Sequence, residues 1–165
     1  MEETTTRDLT VYVLARTDLP SMLSGKLAAQ VHHSGIQMMS KFGHHSLVQA
    51  YIADGMSQGA QHFNTTIVLG ATIQDIERVS SDARVTCTMY PDMILHGVVT
   101  DPSYPFFVEN TEVADLIPEH VARGVKLMSD GRVLMTREEV TCAWFIGDRN
   151  QPEFRSLFEG LNLHP

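Results

Sequence analysis

Four polar side chains recur along one stretch of sequence at spacings that place them on a single face of a helix. Counting from Lys26, the others follow four, seven and eleven residues later: Gln30, His33 and Gln37. Side chains with these separations line up along one side of an α-helix. Ser24 is a favourable N-cap residue, and the positive end of a helix dipole attracts anions. The spacing therefore predicts an anion-facing site at the start of a helix.

The same residue types fit the hydrolysis of an ester. That reaction needs a base for water, a donor that stabilises the oxyanion and a clamp for an anionic substrate. A lysine at a helix start suits the last two roles, and His33 is a candidate base because an unperturbed histidine titrates near neutral pH. Asp101 follows a predicted strand, where ligand crevices of open α/β sheets form, and is a candidate to orient His33. Each residue also has a purely structural explanation: Lys26 as a surface lysine, His33 as a packed histidine and Asp101 as an aspartate that caps a turn.

The elements that must position these residues alternate between strands and helices. Short apolar runs rich in β-branched residues predict strands at 9–15, 65–70, 97–100, 140–146 and, at an edge, 161–163. Helical spacing predicts helices at 24–42, 44–56, 72–80 and 153–160, the third capped by Thr72. Residues 83–96 fit either a longer helix or a strand, residues 101–105 read as a turn, and residues 112–123 are a candidate short helix within an acidic connection over 107–124. Asp130-Gly131 between apolar runs predicts a hairpin over 125–136. This order predicts an α/β protein, a three-layer α/β/α sandwich around a small mixed sheet.

Length and charge narrow the classes of protein. The chain has 165 residues, which predicts one domain over 1–165, and its formal net charge is −8. General nucleic-acid binding relies on a basic surface, so an RNA partner would need a local cluster of cations. Two cysteines without metal spacing, no stretch long enough to span a membrane and an acidic start predict a cytoplasmic protein.

Histidines raise the possibility of a metal site, which the spacing argues against. His32 and His33 are adjacent, so they point in different directions from a helix. His44 and His45 follow Gly43 and have no acidic partner at ligand spacing. We expect no metal and no cofactor.

The residues around the predicted first helix resemble a known signature. The chain carries in order Arg16, Asp18, Leu19, Gly25, Lys26, Ala28, Ala29, Gln30 and His33. This pattern resembles the type-two peptidyl-tRNA hydrolase family, the archaeal and eukaryotic type, over residues 9–42, and the order of elements over 65–101 and 138–163 is similar to it. Members of that family are small α/β enzymes that hydrolyse the ester of peptidyl-tRNA without a metal, often as dimers.

The resemblance implies roles for individual residues. It makes Lys26, His33 and Asp101 candidate catalytic residues, with Gln30 and Arg16 as candidate contacts to the substrate, although Arg16 also stands where a salt bridge with Asp18 is expected. The family usually has Asp-Ala-Gly-Arg-Thr where this chain has Asp101, Pro102, Ser103, Tyr104 and Pro105. The arginine and threonine are absent, so the hydroxyls of Ser103 and Tyr104 become candidate substrate contacts. Residues 106–136 resemble an insertion into the family pattern.

Three functions follow as expectations. The first is hydrolysis of peptidyl-tRNA or a related aminoacyl or nucleotide ester, by a homodimer. The alternative is a catalytically altered member of the fold that binds a nucleotide or nucleotide-derived signalling ligand. The third is a protein-interaction module that docks through 106–136. A basic patch containing Arg16, Lys26, Lys41 and Arg149 would favour tRNA, whereas a closed pocket lined by 101–107 would favour a small anionic ligand.

Overall fold

A computed structural model of the chain describes residues 7–57, 64–109 and 126–165. The short helix considered at 112–123 lies outside these residues. The strands are β1 Leu9–Arg16, β2 Thr65–Ala71, β3 Ile94–Glu109, β4 Lys126–Leu127, β5 Arg132–Asp148 and β6 Asn162–Leu163. The helices are α1 Ser24–Phe42, α2 Ser46–Ser57, α3 Ile73–Met89 and α4 Pro152–Ser156. None of these helices is both long enough and apolar enough to cross a membrane.

The described strands form one mixed sheet, which confirms the predicted α/β class. Its order is β3-β5-β1-β2-β6, and the short β4 pairs with β5. The β1–β2 pair is parallel, while the pairs of β5 with β1, β3 and β4 and of β2 with β6 are antiparallel. β1 therefore lies in the interior of the sheet, and the chain that leaves its carboxyl end leads directly into α1.

Both faces of the sheet are covered because successive side chains of a strand point to opposite sides. In β1, Val11 and Val13 pack in a cluster with residues of α1 and α2. Tyr12 and Leu14, the alternating residues, pack with residues of α3 and α4. The central strands are apolar on both sides for this reason, and residues 142–146 of β5 have no exposed surface.

The third helix is longer than the prediction of 72–80. Thr72 caps it as predicted, in a capping box with Asp75. The helix then continues to Met89, because Ile76, Val79 and Ala83 are buried at helical spacing against the sheet. Residues 83–89, which fitted either a helix or a strand, belong to this helix.

The predicted turn at 101–105 is wrong, because β3 runs through it. The pairing register between β3 and β5 shifts between Val99 and Thr100 and again between Asp101 and Tyr104. Pro102 lies within the second shift, at the edge of the sheet, where a missing backbone donor is tolerated. Extra residues are thus absorbed as bulges, and the strand continues to Glu109.

The far ends of β3 and β5 form a two-stranded extension, here called the β-arm. It consists of residues 104–109 paired with residues 132–137, and β4 pairs with its outer end. β1 pairs only with residues 142–148 of β5, so the β-arm continues past the end of β1. The predicted hairpin is confirmed by β4 and β5, with Gly131 at φ +85° in the turn. The described parts of the predicted 106–136 insertion belong to the β-arm and to this hairpin.

Two glycine substitutions test the close contact between α1 and the sheet. A Cβ at Gly97 would lie 2.7 Å from Gln37 Oε1 and 2.7 Å from the Trp144 ring, so Gly97→Ala should lower the free energy of unfolding by about 1–3 kcal/mol. A Cβ at Gly35 would meet nothing within 4 Å, so the matched Gly35→Ala change in α1 should raise it by about 0.5–1 kcal/mol. Urea unfolding followed by circular dichroism measures both, and the same sign for both variants would contradict this packing.

Candidate functional site

The inner face of α1 supplies the polar residues of the candidate site. Gln30, Ser34 and Met38 are its buried residues, each one helical turn from the next, and Lys26 lies one turn earlier. The predicted polar face is therefore only partly correct. Gln37 points inward, accepting a hydrogen bond from Trp144 Nε1 at 2.8 Å and donating one to the Val98 carbonyl at 3.0 Å. His33 is exposed.

Gln30 connects α1 to two strands through its buried side chain. The residue is only 3% exposed. The Thr141 hydroxyl on β5 donates to Gln30 Oε1 at 2.8 Å, and Gln30 Nε2 donates to Asp101 Oδ2 on β3 at 3.5 Å. The Ser34 hydroxyl donates to the Gln30 carbonyl at 3.1 Å. A buried amide is costly without partners, so this set of bonds fixes Gln30 between the helix and the strands.

Asp101 lies where β3 changes register, and its carboxylate is held from two sides. Oδ1 accepts the Ser103 backbone N–H at 2.9 Å, and Oδ2 accepts Gln30 Nε2. A carboxylate has room for further hydrogen bonds beyond these two. His33 is not one of its hydrogen-bonding partners, so the structure does not support the predicted orientation of His33 by Asp101.

Lys26 faces the same region from the first turn of α1. Its Nζ is buried, has no hydrogen-bond partner among the described residues, and lies 3.8 Å from the centroid of the Tyr104 ring. Burial lowers the pKa of Lys26, and the negative charge of Asp101 partly offsets that effect. The ammonium group is therefore held against an aromatic face near a carboxylate and is not bonded to either.

Tyr104 forms a wall of the site. It is 1% exposed and packs with Leu19 and Met22 in a small cluster. Its hydroxyl accepts a hydrogen bond from Ser21 at 2.6 Å, and burial raises the pKa of this phenol although the Ser21 bond opposes that shift. The ring, more than the hydroxyl, faces Lys26. Ser103 is exposed, and its backbone N–H is the group that reaches Asp101.

Arg16 has a structural role, which confirms the expected salt bridge with Asp18 and argues against a contact with substrate. The residue is 5% exposed. Its guanidinium donates to both oxygens of Asp18, to Glu139 Oε1 at 2.9 Å and to the Val140 carbonyl at 2.9 Å. Burial alone would lower the pKa of Arg16, but the hydrogen bonds with Asp18 and Glu139 raise it.

The four cations that would form a tRNA-binding patch differ in their ion pairing and their exposure. Arg16 is neutralised by two carboxylates, and Arg149 donates to Asp8 at 2.9 Å from Nε. Lys26 is partly buried, whereas Lys41 is exposed. These residues do not offer a common set of unpaired charges to a phosphate backbone.

A cavity lies beside the Tyr104 ring. Its volume is about 440 Å³, and it is bounded by the loop between β1 and α1 and by the β-arm. The lining side chains are mostly apolar or aromatic, with two arginines: Leu19, Pro20, Ser21, Leu23, Tyr104, Phe106, Phe107, Arg132 and Arg137. Three of them fall within the segment 101–107, and a closed pocket lined by this segment was the expected sign of a small ligand.

Several residues of this site were not identified from the sequence. Thr141 is a polar residue inside the apolar strand 140–146, and Ser34 follows Gln30 by four positions. Both patterns were available as signals of buried polar partners. Ser21 and Glu139 gave no such signal, because their partners Tyr104 and Arg16 are distant in sequence.

Metal ligation finds no support in the arrangement of side chains. Within residues 7–57, 64–109 and 126–165, no three His, Cys, Asp or Glu side chains come close enough together to hold an ion. His45 lies 3.8 Å from Asp92 as a pair. Cys142 is buried beside Ser34, and Cys87 is partly buried, both as free thiols.

The ionisation of Lys26 can be measured directly. We expect its amine to titrate below the usual lysine value of about 10.4, and we expect Asp101→Asn to lower its pKa further by removing the opposing charge. NMR of ¹³C-methylated lysines gives the titration. The signal that is missing from the spectrum of Lys26→Met belongs to Lys26. A pKa of that signal above the usual lysine value would contradict the burial argument.

The lowered pKa of Lys26 also predicts how the free energy of unfolding depends on pH. Between the lowered folded pKa and the ordinary unfolded value, the unfolded chain binds more protons, so the Lys26 contribution to stability improves as pH rises through that window. The free energy of unfolding of Lys26→Met should therefore exceed that of the parent by the largest amount at neutral pH and by less near pH 10. Unfolding curves at both pH values measure the difference, and a pH-independent gain would contradict the shift.

Replacement of Arg16 separates a structural role from a binding role. Arg16→Lys cannot reach Asp18, Glu139 and the Val140 carbonyl together, so we expect a loss of about 3 kcal/mol in the free energy of unfolding. The exposed Arg78, which pairs with Asp75 and Asp82, gives the matched control Arg78→Lys with a loss below about 1 kcal/mol. Equal small losses in the two variants would contradict the structural role of Arg16.

No protein-family model matches the sequence, and no curated protein is significantly similar to it. The chemistry of the site therefore rests on its own residues and on the resemblance around α1.

Proposed function

We propose that this chain is a divergent member of the type-two peptidyl-tRNA hydrolase family, with that family's three-layer sandwich, and that it hydrolyses peptidyl-tRNA or a related aminoacyl or nucleotide ester. The observation that carries the proposal is the ammonium group of Lys26, which is buried without a hydrogen-bond partner among the described residues. Burial lowers the pKa of Lys26, and the ammonium lies close enough to Asp101 for that carboxylate to offset part of the decrease. An unpaired cation near a carboxylate matches the needs of ester hydrolysis.

Lys26 is assigned the role of stabilising the negative charge that develops on the substrate. When water adds to the ester carbonyl, the carbonyl oxygen becomes an oxyanion, and a nearby ammonium group stabilises it more strongly in a dry site than in water. The flexible four-carbon side chain brings the ammonium from the Tyr104 ring to the substrate. The ring offers a resting position that is weaker than a salt bridge, so the cation remains available.

Asp101 is assigned the role of the general base. Its carboxylate accepts a proton from the attacking water, whose oxygen bonds to the carbonyl carbon. The bond between that carbon and the ribose oxygen then breaks, and the proton passes to the leaving oxygen. Gln30 and the Ser103 backbone N–H fix the carboxylate while leaving it able to accept a further bond. His33, which is exposed and not bonded to Asp101, is given no part in this transfer.

A second function is supported by the cavity beside Tyr104. Its lining by Tyr104, Phe106 and Phe107 and its volume of about 440 Å³ suit a small anionic ligand better than a long tRNA. The neutralised state of Arg16 and Arg149 points the same way. The alternative is therefore a protein that binds a nucleotide or nucleotide-derived signal at this site without turnover.

Hydrolysis of a peptidyl-tRNA mimic tests the first function. With N-acetyl-aminoacyl-tRNA, we expect release of tRNA by the parent and a fall in kcat of about 10²–10³-fold in Lys26→Ala, because the oxyanion loses its cation. Asp101→Asn should lose about 10²-fold or more, because the amide cannot accept the proton. Acid-gel separation of charged and free tRNA measures the rates.

Two further variants serve as controls. Lys41→Ala removes an exposed lysine from the same helix and should leave the rate unchanged. His33→Ala should keep most of the activity, whereas a loss as large as that of Asp101→Asn would assign the base to His33. No release of tRNA by the correctly folded parent would rule out the hydrolase and leave the nucleotide-binding alternative.

A further inference from the structure

A second cavity, here called the α3 groove, lies between α3 and the strands β3 and β5. Its volume is about 320 Å³, and its apolar walls are Ile73 and Ile76 of α3, Val98 of β3 and Val140 of β5. Ile76, Val98 and Val140 pack in the cluster on one face of the sheet, whereas the buried residues of α1 belong to the cluster on the other face. The groove is therefore separate from the cavity beside Tyr104.

The remaining lining of the α3 groove comes from one stripe of α3 that carries two opposite charges. Its residues are Glu77, Ser80, Ser81 and Arg84. Glu77 precedes Ser80 by three positions, and Arg84 follows Ser81 by three positions. Side chains three, four and seven positions apart lie on the same side of a helix. The stripe therefore has two small residues at its centre and opposite charges at equal distances on either side.

Neither charge of this stripe is neutralised by the residues that the structure describes. Glu77 and Arg84 are both exposed, and neither forms a hydrogen bond or an ion pair with a described residue. The residues three and four positions away from each of them are uncharged. Arg78, on a different side of the same helix, pairs with both Asp75 and Asp82. α3 thus pairs its charges on one side and leaves two unpaired beside the groove.

The hydroxyl of Ser80 also lacks a partner. Ser80 is only 8% exposed, and its buried Oγ makes no hydrogen bond with the described part of the chain. The hydroxyls of Thr86 and Thr88 in the same helix differ, because each donates to the carbonyl four positions earlier. A buried hydroxyl without a partner is destabilising. A polar group supplied by another molecule in the groove would remove that cost.

A second copy of the chain supplies these partners if the two α3 helices pack antiparallel. With the two-fold axis between positions 80 and 81, Glu77 of each copy lies opposite Arg84 of the other, and the same contact forms twice. The Ser80 hydroxyls of the two copies then meet near the axis, where each can donate or accept a hydrogen bond. Small side chains at the centre let the helices approach closely.

The distribution of charge favours a second copy over other occupants of the groove. An acidic partner would be repelled by Glu77, and a basic partner would be repelled by Arg84. A small zwitterion holds its two charges much closer together than the distance of about 10 Å between positions seven residues apart on a helix. An antiparallel copy of α3 carries both charges at the required separation and in the required order.

We propose that the protein forms a homodimer through antiparallel contact between the α3 grooves of two copies, with Glu77 paired to Arg84 of the second copy at two symmetric positions. The contact uses none of the residues assigned to ester hydrolysis, so it extends beyond the proposed function and does not depend on it.

Reversal of the two charges tests this dimer. Analytical ultracentrifugation of the parent over a range of concentrations should show a dimer and give its Kd. Glu77→Arg and Arg84→Glu each place like charges together at both contacts, so each should raise the Kd about 10-fold or more. The double variant Glu77→Arg/Arg84→Glu restores opposite charges, so its Kd should return to within about 3-fold of the parent value.

A mixture of the two single variants gives a second measurement. The stripe then carries two positive charges in Glu77→Arg and two negative charges in Arg84→Glu, so both contacts of a mixed dimer join opposite charges. We expect the mixed pair to associate at least about 10-fold more tightly than either variant associates with itself. Sedimentation of fluorescently labelled Arg84→Glu with unlabelled Glu77→Arg measures this affinity.

Matched controls change the net charge by the same amount at exposed positions outside the groove. Lys41→Glu on α1 matches Arg84→Glu, and Glu153→Arg on α4 matches Glu77→Arg. Both controls should dimerise as the parent does. Circular dichroism spectra establish that every variant is folded.

Three results would overturn the assignment. A folded parent that stays monomeric would leave the groove to a different partner. A dimer whose Kd is unchanged in both single variants would place the contact on another surface. A mixture of the single variants that associates no more tightly than its components would exclude the antiparallel pairing of Glu77 with Arg84.

Discussion

The burial of the Gln30 side chain between α1 and the sheet is the constraint on which the site depends. An amide buried without partners would cost about 1–3 kcal/mol for each unmet group, so Thr141 and Asp101 must stay within its reach. A slip of β5 by one residue would turn Thr141 to the opposite face of the sheet. The same bonds that stabilise the contact of α1 with the sheet therefore also set the position of the Asp101 carboxylate.

The same strands of the sheet lie in two different environments. Residues 142–146 of β5 are fully buried between helices, whereas residues 132–137 continue into the β-arm with alternating exposure. The register shifts of β3 fall between these two halves, and Asp101 lies among them. Irregular backbone at this boundary leaves the Ser103 backbone N–H outside the β3–β5 pairing, where it donates to the Asp101 carboxylate.

Local patterns predicted the first half of the structure well. β1 and α1 begin and end within one residue of the predicted limits, because an apolar strand, a polar turn and a helix leave signals in adjacent residues, although the N-cap position is Leu23 and not Ser24. The Asp101 segment was read wrongly, since Pro102 and Pro105 look like a turn and the pairing that extends the strand comes from β5, about thirty residues later. Strand pairing between distant segments leaves little trace in a single sequence.

The side chains of α1 show a finer limit of the same kind. Spacing correctly grouped Lys26, Gln30 and Gln37 on one face, which the structure turns inward, yet it also included His33, which is exposed. The rotation of a helix about its axis is fixed by what it packs against, and here the buried line runs through Gln30, Ser34 and Met38. Periodicity gives the width of a polar stripe, and tertiary contacts decide which edge of it is buried.

The pairing of β3 with β5, which resumes beyond the register shifts and runs through the β-arm, has a consequence for how this protein can vary. Because side chains alternate along a strand, adding or removing two residues on each side of the hairpin keeps the remaining rings and arginines on their own faces, whereas a single-residue change would invert them. The reach of the extension and the arrangement of Lys26, Gln30 and Asp101 can therefore change independently. Sequences with longer or shorter hairpins at this point can keep the same interior while the extension changes in length.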